Sequence, residues 1–385
     1  MDLIQLKKNE EKKTSLSYFQ NEFIKIKKNQ KLITFFMIFI IILNLLIIIH
    51  TTTDKEKMSF ILKKEISNLL INDSYPDINN YLYNFGYLSK KILEPYIEKQ
   101  NDFCINPHKY YNEKIEKQIK LHHVSFKDID YDMFIYKGAD IVSKTIVYYK
   151  YYEPTETTNI LDALNFYGKN NNIKNNKDIL MLDIGGNIGW YPSFLGRFGY
   201  TILTFEPNEN NYYILRKNFC YLNKDSNIVI INKGLSNEEK NCSFYKDIDN
   251  IGNGMAICDE EIGNKEIKKE FQKTSEISLT KLSNFIPYLY NKHLALIKID
   301  IEGFEGKAIE GGIELIIKFH IPYILLEFTP RALIEHGTNP KKFLKLFVDN
   351  GYKIKIDGFF NRPISIKQLF NKVNEMINIY FVYEN

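Results

Sequence analysis

The sequence is poor in the residues that build metal centres and disulfide frameworks. Its 385 residues include four cysteines, one tryptophan and 11 prolines, and no two cysteines form a C-x-x-C pair. No cysteine has a histidine at the spacing of metal ligands, so we predict no metal site. An even number of cysteines permits disulfides in an oxidising compartment, but four scattered residues define no framework, and buried free thiols are the favoured interpretation. These cysteines are Cys104, Cys220, Cys242 and Cys258.

An excess of charge of one sign is also absent. The 51 lysines and arginines nearly balance 47 aspartates and glutamates, which leaves a formal net charge of +4. Nucleic-acid-binding domains usually concentrate positive charge, so this balance predicts no nucleic-acid partner. The length allows one large domain or two modest ones.

Long apolar runs are rare, and the one that is present extends from Leu32 to Ile49, interrupted only by Thr34 and Asn44. At about 1.5 Å per residue it spans roughly 27 Å, enough for a thin bilayer, so we expect a single transmembrane helix. A cleaved signal peptide is the alternative. Its apolar region would usually comprise about 7 to 15 residues, and no small-residue cleavage site follows His50.

The lysines around this run predict its orientation. Eight lysines precede it and fewer follow it closely, so residues 1–31 are predicted to be a cytosolic tail. The rest of the chain would then lie in the lumen of the endoplasmic reticulum or Golgi. Residues 50–128 have an irregular pattern and are interpreted as a partly helical stem, and residues 129–385 as the catalytic domain.

The most informative stretch is residues 178–207. An apolar run ends at Asp183, and a second apolar run ends at Glu206. Three glycines follow the first run: Gly185, Gly186 and Gly189. Two buried strands joined by a glycine-rich turn and a helix form a βαβ unit, whose turn approaches a ligand closely and whose second acid reaches a ribose. A nucleoside cofactor is therefore predicted.

The identity of that nucleoside depends on Asp183. A dinucleotide fingerprint reads G-x-G-x-x-G and holds a pyrophosphate on bare amides. Here a carboxylate stands at the tip of the strand, before Gly185 and Gly186. Its charge would repel phosphates but suits the ammonium group of an amino-acid tail. The turn therefore favours S-adenosylmethionine over NAD.

Apolar runs and helical patterns alternate through the rest of the chain. This alternation predicts an α/β fold with a doubly wound, mostly parallel sheet. Further strands are predicted at 228–231, 294–299 and 323–326, and helices at 210–222, 306–319 and 340–350. Acids stand at four strand ends, where such sheets bind their ligands: Asp183, Glu206, Asp300 and Glu327.

Elements before residue 178 are expected to pack over the cofactor. A strand is predicted at 133–136, followed by helices at 140–149 and 158–166. Glu153 precedes the second of these helices and is a candidate for lining the pocket. Trp190 and Tyr191 are interpreted as helix-packing residues rather than as a platform for the substrate.

Several motifs resemble those of the FkbM-type S-adenosylmethionine-dependent methyltransferases. They are Leu182–Tyr191 (LDIGGNIGWY), Phe205–Pro207 (FEP), Leu215–Asn218 (LRKN) and Ile297–Glu305 (IKIDIEGFE). The resemblance implies a Rossmann-like class I methyltransferase fold and transfer of a methyl group, most often to a hydroxyl of a sugar or natural product. It does not extend to residues 1 to about 130. Gly186 replaces the usual alanine, a change expected to be harmless, and Thr280 replaces a frequent aspartate.

The second half of the site is expected at Ile297–Glu305. Methyl transfer depends mainly on positioning, which can contribute about 7 to 11 kcal/mol, but a hydroxyl acceptor must also lose its proton. Asp300 is the first candidate for the base or for orienting the methyl end of the cofactor, and Glu302 and Glu305 are further catalytic candidates. Lys298 shares a strand face with Asp300 and is expected to pair with a carboxylate.

The first half of the site is expected to bind the cofactor. Asp183 and the three glycines of the turn, Gly185, Gly186 and Gly189, would receive the methionine part. Glu206, followed by Pro207, would bind the ribose hydroxyls. The loop 232–236, which contains Gly234, would contact the adenine. Asn187 is expected to cap the following helix and is also a candidate for binding the cofactor.

These inferences predict a membrane-anchored, S-adenosylmethionine-dependent O-methyltransferase that acts on a glycan or glycoconjugate in the secretory lumen. A small-molecule or lipid acceptor at the membrane is the alternative within the same enzyme class. A non-catalytic, membrane-tethered binding protein is the alternative from another class, although the complete motifs argue against it.

Overall fold

The computed structural model describes residues 86–138, 140–222, 227–258, 271–289 and 292–384. The predicted cytosolic tail, the predicted transmembrane helix at 32–49 and the first part of the predicted stem lie outside these residues. Within the described ranges, no helix is both long enough and apolar enough to cross a membrane.

The described residues contain helices and strands in mixed order. The helices are α1 (Gly86–Ile105), α2 (Glu113–Glu116), α3 (Ile141–Tyr149), α4 (Pro154–Asn170), α5 (Trp190–Leu195), α6 (Glu209–Leu222), α7 (Ile286–Leu289), α8 (Glu305–Glu310), α9 (Ile313–Ile317), α10 (Pro330–Glu335), α11 (Pro340–Asp349) and α12 (Ile366–Phe370). The strands are β1 (Ile119–Phe126), β2 (Ile129–Tyr136), β3 (Ile179–Ile184), β4 (Thr201–Phe205), β5 (Ile228–Ile231), β6 (Gly234–Leu235), β7 (Lys240–Asp247), β8 (Gly254–Ile257), β9 (Phe271–Thr280), β10 (His293–Ile299), β11 (Tyr323–Phe328), β12 (Tyr352–Lys355) and β13 (Ile377–Tyr383).

The central sheet has seven strands in the order β12-β13-β11-β10-β3-β4-β5. Strands β3, β4, β5, β10 and β11 are parallel, and β13 is antiparallel to both of its neighbours. The chain proceeds outward from β3 to β5 and then returns to β10 on the other side of β3. The order therefore reverses between β3 and β10, which is where open α/β sheets bind ligands. This topology confirms the predicted doubly wound, mostly parallel sheet.

Both faces of the sheet are covered, because its strands alternate their side chains between two cores. In β3, Ile179 and Met181 belong to one core, whereas Leu180 and Leu182 belong to the other. All four side chains are fully buried. Buried apolar runs of this kind are typical of parallel strands that carry helices on both faces.

Helix α1 covers the edge of the sheet at β5. The side chain of Gln100 on α1 donates to the carbonyl of Ile228 and accepts from the amide of Ile230, both at 3.0 Å. It thereby pairs backbone groups that an edge strand would leave open. Leu93 on the same helix is buried in the core. Part of the region that the sequence assigns to the stem thus packs directly on the sheet.

A smaller sheet has the order β6-β9-β7-β8 and contains residues between 234 and 280. Four of its apolar side chains form a separate small core: Cys242, Phe244, Ile277 and Leu279. Three of these, Phe244, Ile277 and Leu279, also line the cavity described below. The segment that the sequence identifies as an insertion therefore forms one wall of the site.

The cysteines form two disulfides, Cys104–Cys220 and Cys242–Cys258, so the interpretation as free thiols was wrong. The first joins α1 to α6 across 116 positions of the sequence, and the second joins β7 to the residue after β8. Their pairing depends on the packing of α1 on the sheet and on the register of the small sheet. Neither feature is visible in the spacing of the cysteines.

Loss of the Cys104–Cys220 disulfide is expected to lower the free energy of unfolding by about 2 to 4 kcal/mol, because the crosslink restricts a long loop in the unfolded chain. Urea unfolding of the double variant Cys104→Ser/Cys220→Ser would measure the loss. The matched control is Cys242→Ser/Cys258→Ser, which opens a loop of only 16 positions and should cost less. Equal stability of the first variant and the parent protein would contradict this prediction.

Two local predictions also need correction. The single helix predicted at 306–319 is two short helices, α8 and α9, separated by Gly311 and Gly312. A Cβ atom on Gly311 would lie 2.0 Å from the carbonyl oxygen of Ser236, so the break in the helix accompanies a close approach of backbone to backbone. Asn187 does not cap the next helix. The N-cap of α5 is Gly189, and no side chain completes that cap.

Candidate active site

A cavity of about 550 Å³ lies at the carboxyl ends of the central strands. Its volume is within the range of roughly 300 to 1,000 Å³ that small-molecule sites usually have. Six of the lining residues follow or end these strands: Gly185, Gly186, Glu206, Asp300, Glu302 and Glu327. The two halves of the site predicted from sequence therefore meet in one cavity.

The glycine-rich turn after β3 contacts the end of β10 with no room for a side chain. Gly185 has φ +92°, and a Cβ atom there would lie 1.9 Å from the carbonyl oxygen of Asp300. At Gly186 a Cβ atom would lie 2.2 Å from the hydroxyl oxygen of Thr204. An alanine at position 186, which is usual in the family, would therefore clash with Thr204. The sequence analysis predicted that its replacement by glycine is harmless, but the glycine is needed here to avoid this clash.

Gly185→Ala is expected to lower the free energy of unfolding by about 2 to 4 kcal/mol and to weaken cofactor binding, since it adds both left-handed strain and a backbone clash. Gly337→Ala is the matched control, because Gly337 has φ +78° but nothing within 4 Å of the added Cβ atom. Thermal unfolding and calorimetry with S-adenosylmethionine would measure both effects. Equal losses in the two variants would contradict the close contact with Asp300.

Asp183 lies beneath the cavity rather than in its wall. In the sheet register it stands between Thr204 on β4 and Lys298 on β10, and it accepts a hydrogen bond of 2.8 Å from the Thr204 hydroxyl. Burial raises the pKa of Asp183, and the charge of Lys298 acts in the opposite direction. Gly189 is also away from the cavity and packs against Leu215. The structure thus shows no direct path from Asp183 to a ligand in the cavity.

Glu206, at the end of β4, is ordered by two backbone amides. One carboxylate oxygen accepts from Asn187 at 2.7 Å and the other from Asn208 at 2.8 Å. Burial raises the pKa of Glu206 to about 8, although both amides act to lower it. Pro207 and Gly234 line the cavity next to Glu206. A ligand hydroxyl that donates to this carboxylate would favour its charged form.

Lys298 is the buried cation of the site. Its ammonium group lies 3.0 Å from a carboxylate oxygen of Asp300, which confirms the predicted pairing. Burial acts to lower the pKa of Lys298, but the charges of Asp300, Asp183 and Glu153 outweigh burial and raise it. One buried cation is therefore shared among several carboxylates.

Two further carboxyl groups face the cavity with raised proton affinity. Crowding by surrounding protein, together with the charges of Asp300 and Glu305, raises the pKa of Glu302 to about 7, although its side chain lies at the cavity rim and is exposed to solvent, which limits the effect of burial. Burial and the charges of Asp300 and Glu302 raise the pKa of Glu327 to about 9. Glu302 also has φ +56°, an uncommon conformation for a residue other than glycine. Of these two groups, Glu327 keeps its proton at neutral pH and Glu302 exchanges its proton readily.

Glu305 turns away from the cavity. One of its carboxylate oxygens accepts from the amides of Ile301 at 3.1 Å and Gly303 at 3.2 Å. The side chain is buried and does not line the cavity. This geometry gives Glu305 a role in holding the turn after β10 rather than in contacting a substrate.

The elements before β3 add residues that the sequence motifs did not reveal. Tyr152 lines the cavity, whereas Glu153, which the sequence offered as a lining candidate, does not. Glu153 is half-buried and accepts a hydrogen bond from the hydroxyl of Tyr191. Trp190 and Tyr191 both line the cavity besides packing in the core, so the prediction of packing alone was incomplete. Glu153 has φ +43° before Pro154, and its place before a predicted helix is the sequence signal that marked it.

A loop from the small sheet closes the other side of the cavity. Asn211 donates to the carbonyl of Gly252 at 2.8 Å, and Asn250 accepts from the amide of Ile141 at 3.0 Å. Asp140 approaches the same loop, since a Cβ atom on Gly252 would lie 2.1 Å from its carboxylate. Side chains far apart in sequence thus fix this loop, which explains why motif reading missed it.

The residues present fit S-adenosylmethionine. The bare turn at Gly185 allows a ligand to approach the backbone, Glu206 offers a carboxylate to ribose hydroxyls, and the apolar Leu235 and Leu279 lie farther along the wall. The negative charge of Asp300 suits a positively charged sulfonium. Gly185, Glu206 and Asp300 follow β3, β4 and β10, whose ends meet near the point where strand order reverses, whereas Leu235 and Leu279 belong to the smaller sheet.

Comparison with known proteins agrees with this site. Residues 183–354 match the family model described as the methyltransferase FkbM domain. This range begins at Asp183 and includes the glycine-rich turn, Glu206 and Ile297–Glu305. No curated protein matches the chain in sequence.

Several solved methyltransferase structures show a weak likeness to the chain. A TehB-like S-adenosylmethionine-dependent methyltransferase from Corynebacterium glutamicum is 12% identical over 60% of this chain and 100% of its own, with a TM-score of 0.27. Magnesium protoporphyrin IX methyltransferase from Synechocystis, with bound S-adenosylmethionine, is 11% identical over 63% and 84%, with a TM-score of 0.31. An S-adenosylmethionine-dependent methyltransferase from Agrobacterium tumefaciens is 7% identical over 69% and 70%, with a TM-score of 0.34. These values are too low to inform the activity, which rests on the family match. Residues 183–354 match the methyltransferase FkbM domain, and the chain is an S-adenosylmethionine-dependent methyltransferase.

Proposed function

We propose that this methyltransferase transfers its methyl group to a hydroxyl of a glycan or glycoconjugate. The main support for this proposal is a set of three carboxyl groups that line the cavity at the ends of β10 and β11: Asp300, Glu302 and Glu327. A hydroxyl has to lose a proton during methylation, and a base works best when its pKa is near the working pH. Glu302, with a pKa of about 7, meets that requirement.

The three carboxyl groups have distinct roles in this proposal. Bound S-adenosylmethionine supplies an electrophilic methyl group on a sulfonium. Lys298 keeps Asp300 in place through their 3.0 Å contact, and Asp300 provides negative charge at the transfer site. Glu302 accepts the proton of the acceptor hydroxyl. Glu327, with a pKa of about 9, keeps its proton at neutral pH and donates a hydrogen bond to another oxygen of the acceptor.

The proposal also includes a membrane anchor at residues 32–49 and a catalytic domain in the lumen of the endoplasmic reticulum or Golgi. Its support is the bilayer-length apolar run, the lysines before it and the two disulfides. Disulfides persist in oxidising compartments and are rare in the cytosol. Protease protection of a C-terminal tag in sealed microsomes tests the orientation, since digestion of the tag would contradict a lumenal domain.

The cofactor half of the site is tested by calorimetry with S-adenosylmethionine. Binding near pH 7.5 is expected to release a proton, because ribose hydroxyls that donate to Glu206 lower a pKa that stands at about 8 in the free protein. The heat should therefore change with the ionisation enthalpy of the buffer, and affinity should rise as the pH increases toward 8. Glu206→Gln should abolish the buffer dependence and weaken binding.

Glu209→Gln is the control for that experiment, since Glu209 is exposed at the start of α6. A wild-type protein that binds no S-adenosylmethionine would contradict the cofactor assignment. Incubation with labelled cofactor and fractionated glycans, lipids and metabolites would then identify the acceptor. Label in small metabolites alone would contradict a glycan or glycoconjugate acceptor.

A further inference from the structure

Helix α3 has an unusually apolar exposed face. Four of its nine residues are large apolar side chains with high exposure: Ile141 at 56%, Val147 at 38%, Tyr148 at 78% and Tyr149 at 54%. Such side chains usually lie singly on a protein surface, and a contiguous group of them indicates an interaction site. We refer to Ile141, Lys144, Val147, Tyr148 and Tyr149 as the α3 surface.

The α3 surface continues to the mouth of the active-site cavity. Ile141 and Tyr148 are seven residues apart, and Lys144 lies between them, so the three share one side of the helix. Ile141 and its neighbour Val142 also line the cavity. Tyr148 and Tyr149 pack edge to face, with ring centroids 4.6 Å apart. A partner on this surface would therefore lie beside the entrance used by the acceptor.

We propose that the α3 surface docks on a lipid bilayer. Tyrosines flanked by lysines are typical of the membrane interface, where the rings enter the headgroup region and the ammonium groups remain in water. Lys144 and Lys150 are exposed in these positions at the middle and the end of the helix. The same sequence contains the bilayer-length run at 32–49, and only residues 50–85 separate that run from the first described helix.

The size of the surface favours a bilayer over a protein partner. A nine-residue helix is only about 13 Å long, whereas a stable protein interface usually buries about 800 Å² on each side. A weak membrane contact is sufficient when an anchor already holds the chain near the bilayer, because tethering raises the effective concentration. The α3 surface would then orient the domain rather than retain it.

This docking extends the proposed function. What it implies about the substrate rests on that proposed function. With α3 at the headgroup level, the cavity mouth beside Ile141 would face the lipid headgroups. The acceptor hydroxyl would then belong to the headgroup of a membrane lipid, such as a glycolipid, rather than to a free glycan or a protein-bound one.

Vesicle co-sedimentation tests the docking directly. The compact unit Leu82–Asn385 would be mixed with phosphatidylcholine vesicles with and without phosphatidylserine, after a thermal melt has shown that it is folded. We expect binding, stronger with the anionic lipid because of the lysines, and about tenfold weaker binding for Tyr148→Ser/Tyr149→Ser. Amide exchange over residues 141–150 should slow when vesicles are added.

The matched control is Tyr111→Ser/Tyr221→Ser, since these tyrosines are 63% and 51% exposed elsewhere on the surface. Equal binding of the two double variants would overturn the proposal, as would no binding by the parent unit. A lipid-free dimer that Tyr148→Ser dissociates would also overturn it and assign the surface to a second copy. Vesicle binding by a protein that methylates none of the fractionated glycans, lipids and metabolites would instead contradict the proposed function and leave the docking intact.

Discussion

Glu302→Gln is expected to lower the rate of methyl transfer by about 10² to 10⁴, the contribution that a positioned proton acceptor usually makes. The substitution keeps the shape of the side chain but removes its ability to accept a proton. Affinity for S-adenosylmethionine should change little, because the amides that order Glu206 are on other loops. Single-turnover transfer from labelled cofactor would separate the chemical step from binding.

The pH dependence of the rate gives a second readout for Glu302. Since the base acts in its deprotonated form, the wild-type rate should rise with pH and level off above a pKa of about 7. That rise should be absent in Glu302→Gln. Glu314→Gln, at the first turn of α9, is the control and should keep both the rate and the pH profile. A variant with full activity would exclude Glu302 as the base.

Lys298→Met is expected to lower the free energy of unfolding by about 3 to 5 kcal/mol, since it leaves the buried carboxylate of Asp183 and the partly buried carboxylate of Asp300 without their cation. Lys298 is 5% exposed, so water offers little compensation. Lys345→Met is the control, because Lys345 pairs with Asp349 on the exposed side of α11. Exposed pairs of this kind contribute about 0 to 1 kcal/mol.

The loss at Lys298 should depend on pH in a predictable direction. Without the cation, the pKa values of Asp183 and Glu153, which burial already raises, rise further above those in the unfolded chain. A carboxyl whose pKa is raised on folding contributes stability at low pH and loses it as the pH increases through the raised pKa. Urea unfolding of Lys298→Met should therefore show a smaller deficit at pH 5.5 than at pH 7.5. A deficit that is the same at both pH values would indicate lost packing instead.

The sequence predicted those features that depend on local pattern. Strand β5 was predicted at 228–231 and found there. A short apolar run between polar segments is typical of a buried strand, so its local pattern was sufficient. The helix predicted at 306–319 was interrupted by Gly311, whose backbone approaches Ser236. The disulfides likewise depend on contacts between distant segments. Contacts between segments that are far apart in the chain leave no recognisable pattern in a single sequence.

The same distinction applies to the candidate site. Glu206, Asp300 and Glu327 line the cavity as the strand-end rule predicted, since parallel strands bring their carboxyl ends to one edge. Asp183 does not line it, because its register places the side chain between Thr204 and Lys298. Glu305 turns back to the backbone of its own loop. The strand end could be predicted, but the direction of each side chain could not.

The contact of Gln100 with Ile228 and Ile230 limits how far the chain can be shortened. A fragment that begins near the start of the family match would lack α1 and would present β5 as an open edge. Open, apolar edge strands pair with other chains and lead to aggregation. A soluble, crystallisable form of this enzyme would therefore have to begin before Gly86, even though the sequence motifs begin almost a hundred positions later.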